Sequence, residues 1–143
     1  MRSLTPRLHV RSAFTLVELI VVIVVLAILA GVAIPKYIDY SANAKSASCH
    51  GVLGNVREAI DAFYANSAYN GTAAWPTLVQ LQTDNTVLQL APIGINPYNS
   101  SAVIAAATYS LASPPVSGSN GWNYDATAGK FWANTNTVGE NAW

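Results

Sequence analysis

Residues Phe14–Ile34 read FTLVELIVVIVVLAILAGVAI, a run of 21 residues with one charge, Glu18. At about 1.5 Å rise per residue, a helix of this length crosses the roughly 30 Å apolar slab of a bilayer. The run is apolar on every face, so no side of it is suited to water. A domain of this size has little room to hide such a helix, and the segment is expected to be a membrane-spanning or assembly element.

The residues on either side sharpen that expectation. In front stands MRSLTPRLHVRSA, with Arg2, Arg7 and Arg11 and no acid. The positive-inside bias keeps this end in the cytoplasm. A general secretory signal has an apolar core of about 7–15 residues followed by a small-residue cleavage site. Here the apolar run is longer, and the best site of that kind, Gly31-Val32-Ala33, is weak. The polar leader instead meets the apolar run abruptly at Ser12-Ala13-Phe14, which places the cut before the helix.

Glu18 needs a reason to exist, because carboxylates inside apolar spans are costly and are usually paired or functional. A cut before Phe14 creates an α-amino group one helical turn away. That amine can neutralise Glu18 within one chain or between neighbours. Glu18 also falls in the first helical turn, where the helix dipole favours negative charge. At the other end, Pro35 offers no N–H to the carbonyl of Gly31, and Gly31 adds backbone freedom. A bend or local melting is expected over residues 31–35.

Ala-Phe-Thr-Leu-Val-Glu-Leu-Ile followed by an apolar run resembles the class III leader and N-terminal helix of type IV pilins and type II secretion pseudopilins. The resemblance implies an α+β fold, with a long N-terminal helix packed on a small C-terminal antiparallel sheet. It implies cleavage between Ala13 and Phe14 by a prepilin peptidase that also N-methylates Phe14. Glu18 then stands at mature position five, the acidic residue of subunit registration, and Pro35 at the family's helix-loosening proline. Gly usually precedes the cut, and Ala13 stands there in this chain. Implied partners are sister and minor subunits in a filament, the peptidase, membrane lipid, and an inner-membrane assembly platform with its ATPase. Implied localisation is the inner membrane, single-pass with the C-terminal part outside the cytoplasm, and then a periplasmic or extracellular filament. A monomeric, membrane-anchored envelope or binding protein is the alternative, with the leader still attached.

Four segments are expected: leader 1–13, apolar helix 14–35, an amphipathic half of the same helix 36–66, and a loop-rich part 67–143 carrying the sheet. In the second half-helix, Leu53, Val56, Ile60 and Phe63 fall at three- and four-residue steps and form one apolar stripe. SAYNGTAA (67–74) turns at Asn70-Gly71, and Pro76 opens a short helix to about Gln82, packed by Leu78, Val79 and Leu81. Asp84-Asn85 breaks it, and residues 88–101 are loop-rich around Pro92, Gly94 and Asn96-Pro97. A strand is expected over Val103–Leu111, then an exposed connection SPPVSGSNG. Trp122–Asp125 and Lys130–Asn134 form a hairpin with two-residue alternation, half-buried. Trp75, Trp122 and Trp132 are expected as core anchors.

Composition excludes several functions. Without the leader, Lys36, Lys45, Arg57 and Lys130 stand against seven acids, a net of −3. A weakly acidic chain without a basic cluster is a poor nucleic-acid binder. Cys49 is the only cysteine, so no intrachain disulfide forms. Cys49 and His50 are adjacent and diverge on a helix, which argues against a metal pair. The exported part holds one histidine, no phosphate loop and no metalloprotease motif, so no enzyme activity and no cofactor are expected. After residue 75 the carboxylates are Asp84, Asp125 and Glu140; some pseudopilins bind calcium through such loop acids and carbonyls, and this resemblance leaves calcium open here without supporting it, since calcium takes six to eight oxygens and carboxylate-poor sites bind weakly.

Overall fold

The computed structural model describes residues 14–89 and 93–143. The leader, Ala13 and Pro92 lie outside the described residues. Helix α1 spans Leu16–Tyr69 and α2 spans Leu78–Leu81. Three strands follow, β1 (Ile104–Ala106), β2 (Trp122–Asp125) and β3 (Lys130–Ala133), then a 3-10 turn at Glu140–Ala142. The fold is α+β.

Two compact units divide the chain, residues up to Tyr40 and Ser41–Trp143. Ile, Val and Leu dominate the first. Its β-branched residues are modest helix formers in water, but in hydrocarbon only a helix satisfies every backbone polar group of one span. α1 stays helical through Gly31 and Pro35, with Pro35 inside the helix.

In the second unit the stripe of α1 is the seed of the core. Cys49, Leu53, Val56 and Ile60 are buried, packed with Leu81, Ile93, Ile104, Trp122, Tyr124, Phe131 and Ala133. Cys49 extends the stripe by one step, while Phe63 is half-buried. The sheet has the order β1-β2-β3 and is mixed. β2 and β3 pair antiparallel, with Trp122 opposite Ala133 and Tyr124 opposite Phe131. β1 instead pairs parallel with β2, Ile104 beside Trp122 and Ala106 beside Tyr124. The wholly antiparallel sheet expected from the sequence is corrected on this point. The connection 107–121 is long enough to return the chain to the same end of the sheet, which a parallel pair requires.

Three local expectations also change. β1 ends at Ala106, because after Ala107 donates to the Tyr124 carbonyl the chain leaves the ladder. α2 starts at Leu78: Thr77 is its N-cap, closing a capping box with Gln80, and Pro76 lies before it. Val79 points outward at 72% exposure, so only Leu81 is fully packed.

The largest difference is at the hairpin. Trp122, Asn123, Tyr124 and Asp125 are all buried, as are Phe131, Trp132 and Ala133. The 113–121 connection, expected to be solvated, covers the second face. The Pro115 carbonyl accepts from both Trp132 Nε1 and Asn123 Nδ2, each at 2.9 Å. The Pro114 carbonyl accepts from Asn141 Nδ2 at 2.9 Å, and Ser117 N–H donates to Asn134 Oδ1 at 2.7 Å. Prolines serve well here: they present carbonyls with no competing N–H and hold φ fixed.

Candidate functional site

The first turn of α1 is built by two side chains. Thr15 N–H and hydroxyl donate to Glu18 Oε2, at 2.8 and 2.9 Å, and Glu18 N–H donates to Thr15 Oγ1 at 3.2 Å. This is a capping box: Thr15 is the N-cap, Glu18 the third helical residue, and orphan amides of the helix start are satisfied reciprocally. Thr-x-x-Glu before an apolar run is a legible signal for it, and reading Glu18 for its charge alone missed it. The box also orients Glu18. Its Oε2 takes both Thr15 donors, while Oε1 has no partner among the described residues. The free oxygen sits at the N-terminal end of the helix, one turn from Phe14, with the dipole favouring its charge.

Beyond the cap, fifteen large apolar side chains from Phe14 to Ile34 are exposed, from Ile20 at 46% to Phe14 at 88%. α1 is the one helix among the described residues long and apolar enough to cross a membrane, with a mean hydropathy of 3.1 in its most apolar window. Lipid or other protein must cover this surface. Burying large aliphatic side chains is worth roughly 1.5–3 kcal/mol each, so the exposed run represents a driving force on the order of tens of kcal/mol. A Cβ added at Gly31 would meet nothing within 4 Å, and Pro35 lies inside the helix. Just past it, Tyr37 and Tyr40 are 76% and 70% exposed, beside Lys36 and Asp39. Aromatic rings with polar tips beside charges suit the boundary between hydrocarbon and water. These tyrosines are in plain view in the sequence, but no periodicity singles them out.

Of the other candidate residues, Cys49 is fully buried and its thiol is pushed up to about 11 by burial, so it is an inert core group. His50 is exposed and stacks on Trp143, ring centroids 4.1 Å apart. Trp143, for which the sequence suggests no role, also meets Tyr98 edge-on. Its main-chain oxygen accepts from Arg57 Nη2, while Arg57 Nε donates to the Phe131 carbonyl at 2.9 Å. Among the described residues no group of three or more His, Cys, Asp or Glu side chains could hold a metal ion. Ala13 lies outside the described residues, so the cut site carries no geometry here.

Comparison with known proteins agrees with this arrangement. Residues 8–34 match the family described as the prokaryotic N-terminal methylation motif. The chain is also 31% identical over 99 residues to a fimbrial protein, EcpC, of Eikenella corrodens, an alignment covering 69% of this chain and 58% of the relative. The chain thus spans less than two thirds of that relative's length. No solved structure matches.

Proposed function

We propose that this chain, similar at residues 8–34 to the N-terminal methylation motif and over 99 residues to a fimbrial protein, is a type IV pilin-like filament subunit cut between Ala13 and Phe14 and N-methylated at Phe14. The observation that carries this reading is the exposed apolar run from Phe14 to Ile34, whose only acid, Glu18, is held at the N-terminal cap of the helix with one oxygen free. In the membrane, lipid covers Phe14–Ile34. In the filament, the helices of neighbouring subunits cover it. The Phe14 amine, in the same chain or a neighbour, takes the free Oε1 of Glu18 and sets the register. Uncompensated in a helix bundle, that carboxylate would oppose assembly, so pairing makes register specific.

The fimbrial relative favours a pilus over a secretion pseudopilus. The assembly partners are then a prepilin peptidase, an inner-membrane platform with its ATPase, and related minor subunits. Gly31 and Pro35 serve as the point where the helix loosens on passing from bilayer to filament. Mass spectrometry of the N-terminus from cells tests the processing: a methylated Phe14 start is expected. A chain still beginning at Met1 and sedimenting as a single copy overturns the proposal and leaves a monomeric membrane-anchored protein.

A further inference from the structure

Between Asp84 and Asp125 the sequence carries no Asp, Glu, Lys, Arg or His. About a quarter of the residues of an ordinary soluble domain are charged. Loss of charge marks a surface that another protein covers. Ile95, Val103, Leu111 and Val116 of this stretch are nonetheless exposed. The fold shapes the stretch into a recess and a knob. The recess, about 560 Å³, lies along β1 and is lined by Leu81, Gln82, Asp84, Ile93, Val103 and Ile104. β1 is an edge strand. Gln82 Nε2 donates to its Ile104 carbonyl at 3.3 Å. The knob is Leu111, 87% exposed, with the small exposed residues Ser110, Ala112 and Ser113 around it. The chain is pinned on both sides of it. Before it, Tyr109 N–H donates to Asp125 Oδ2 at 2.8 Å, and the Tyr109 ring meets Trp132 of β3 edge-on. After it, the Pro114 and Pro115 carbonyls accept from Asn141 and Trp132. Leu111 is therefore held on the β3 side of the sheet, and the recess lies at the opposite, β1 edge.

We propose that the recess takes Leu111 of a second copy of this chain. The proposal deepens the filament reading and rests on it. Knob and recess come from one uncharged stretch, and each is left open by its own chain. A knob pinned on both sides loses little freedom on docking. A small apolar ligand would fill the recess but leave Leu111 and its uncharged loop in water. Because the two features lie at opposite edges, one contact leaves a knob open at one end and a recess at the other. Such a contact is heterologous and repeats from copy to copy, as a filament requires. The Phe14–Ile34 run, apolar on every face, does little to fix how one Ser41–Trp143 unit is turned against the next. One knob in one recess fixes it.

The test is disulfide cross-linking in filaments sheared from cells and treated with a mild oxidant. Cys49 is fully buried and does not compete. Cells that co-express Leu111→Cys chains and Val103→Cys chains should yield a dimer on non-reducing gels. Cells that express one chain with both substitutions should yield a ladder of dimers, trimers and higher multiples. Neither single variant alone should yield either. Leu111→Ser should lower filament yield about tenfold or more, and Leu111→Met should keep it. Both should retain the parent's tryptophan-fluorescence unfolding transition, since position 111 is exposed. A dimer from Leu111→Cys alone, normal filaments in which the mixed pair stays monomeric, or a parental yield from Leu111→Ser overturns the contact and leaves the filament reading standing. If the unmodified chain forms no filaments, the filament reading itself fails and the contact falls with it.

Discussion

The two halves of α1 are one continuous helix with opposite fates. From Phe14 to Tyr40 every described residue is exposed, including fifteen large apolar side chains before Pro35. From Cys49 to Ile60 a single stripe is buried to 3% exposure or less, while the faces beside it stay open to water. The second half is amphipathic and finds its cover within its own chain, under a sheet. The first half is apolar all round, and the described part of the chain brings nothing to cover it. A helix that leaves tens of kcal/mol of apolar burial unrealised is an unfinished interface, completed by lipid or by other copies.

The sharpest way to break this contrast is at the cap. On the filament reading, Glu18→Ala should abolish filaments in electron micrographs of sheared cells while the protein stays in the membrane fraction. Normal filaments from that variant would remove the pairing role. Thr15→Ala should act in the same direction and more weakly, because Glu18 keeps its charge but loses the donors that orient it.

Next come the buried and exposed stripes compared directly. All four tryptophans, Trp75, Trp122, Trp132 and Trp143, lie in the second unit, so their fluorescence reads its unfolding. Ile60→Ala should cost about 2–5 kcal/mol of stability in micelles, the range for emptying a packed site. Val24→Ala should leave the same transition where it was. A large effect at Val24 would mean that the two halves are energetically coupled.

A comparable loss, about 1–3 kcal/mol, is expected for Gly121→Ala, since a Cβ there would strike the Ser101 carbonyl, a backbone atom with no rotamer to change. The variant should unfold at lower denaturant with an unchanged slope, by the same fluorescence signal.

Smaller still is the acid limb. The Thr127 hydroxyl and the Tyr109 amide, helped by the Thr127 and Ala128 amides and opposed by burial, hold Asp125 at about 2 against a usual 3.8. The folded value is the depressed one. The contribution to stability is therefore complete above about pH 4 and is lost as pH falls through about 2. Asp125→Asn should flatten that part of the stability–pH curve. At neutral pH it should cost about 1–2 kcal/mol, as a charged acceptor of several bonds becomes a neutral one. At the bottom of the scale, Val79→Ser on the exposed side of α2 should stay within about 0.5 kcal/mol of the parent.

Much of this was legible along the chain, and the failures have physical causes. The apolar run, its one acid and the Leu53–Val56–Ile60 stripe are local periodicities, and so is the Trp122–Ala133 hairpin. Both capping boxes, Thr15/Glu18 and Thr77/Gln80, are also local and could have been read from their spacing. The direction of β1 was not local. Ile104–Ala106 reads the same whether it pairs parallel or antiparallel, and only the path of 107–121 decides. The burial of Asn123, Asp125 and Trp132 was hidden too, because the segment that covers them, Ser113–Gly121, has the composition of a solvated loop. What brings it down is a set of carbonyls on Pro114 and Pro115, and composition does not reveal where a carbonyl points.

By itself the sequence determined that this chain carries a rod unfit for water, with one acid at its start and an amphipathic continuation, because hydropathy and helical period are properties of neighbours along the chain. The tertiary structure alone decided that the sheet is mixed, that a proline-bearing segment closes its second face, and that Arg57 and Trp143 meet across 86 residues. Those outcomes depend on which distant backbone groups satisfy one another's hydrogen bonds, and that pairing is settled only when the chain has folded.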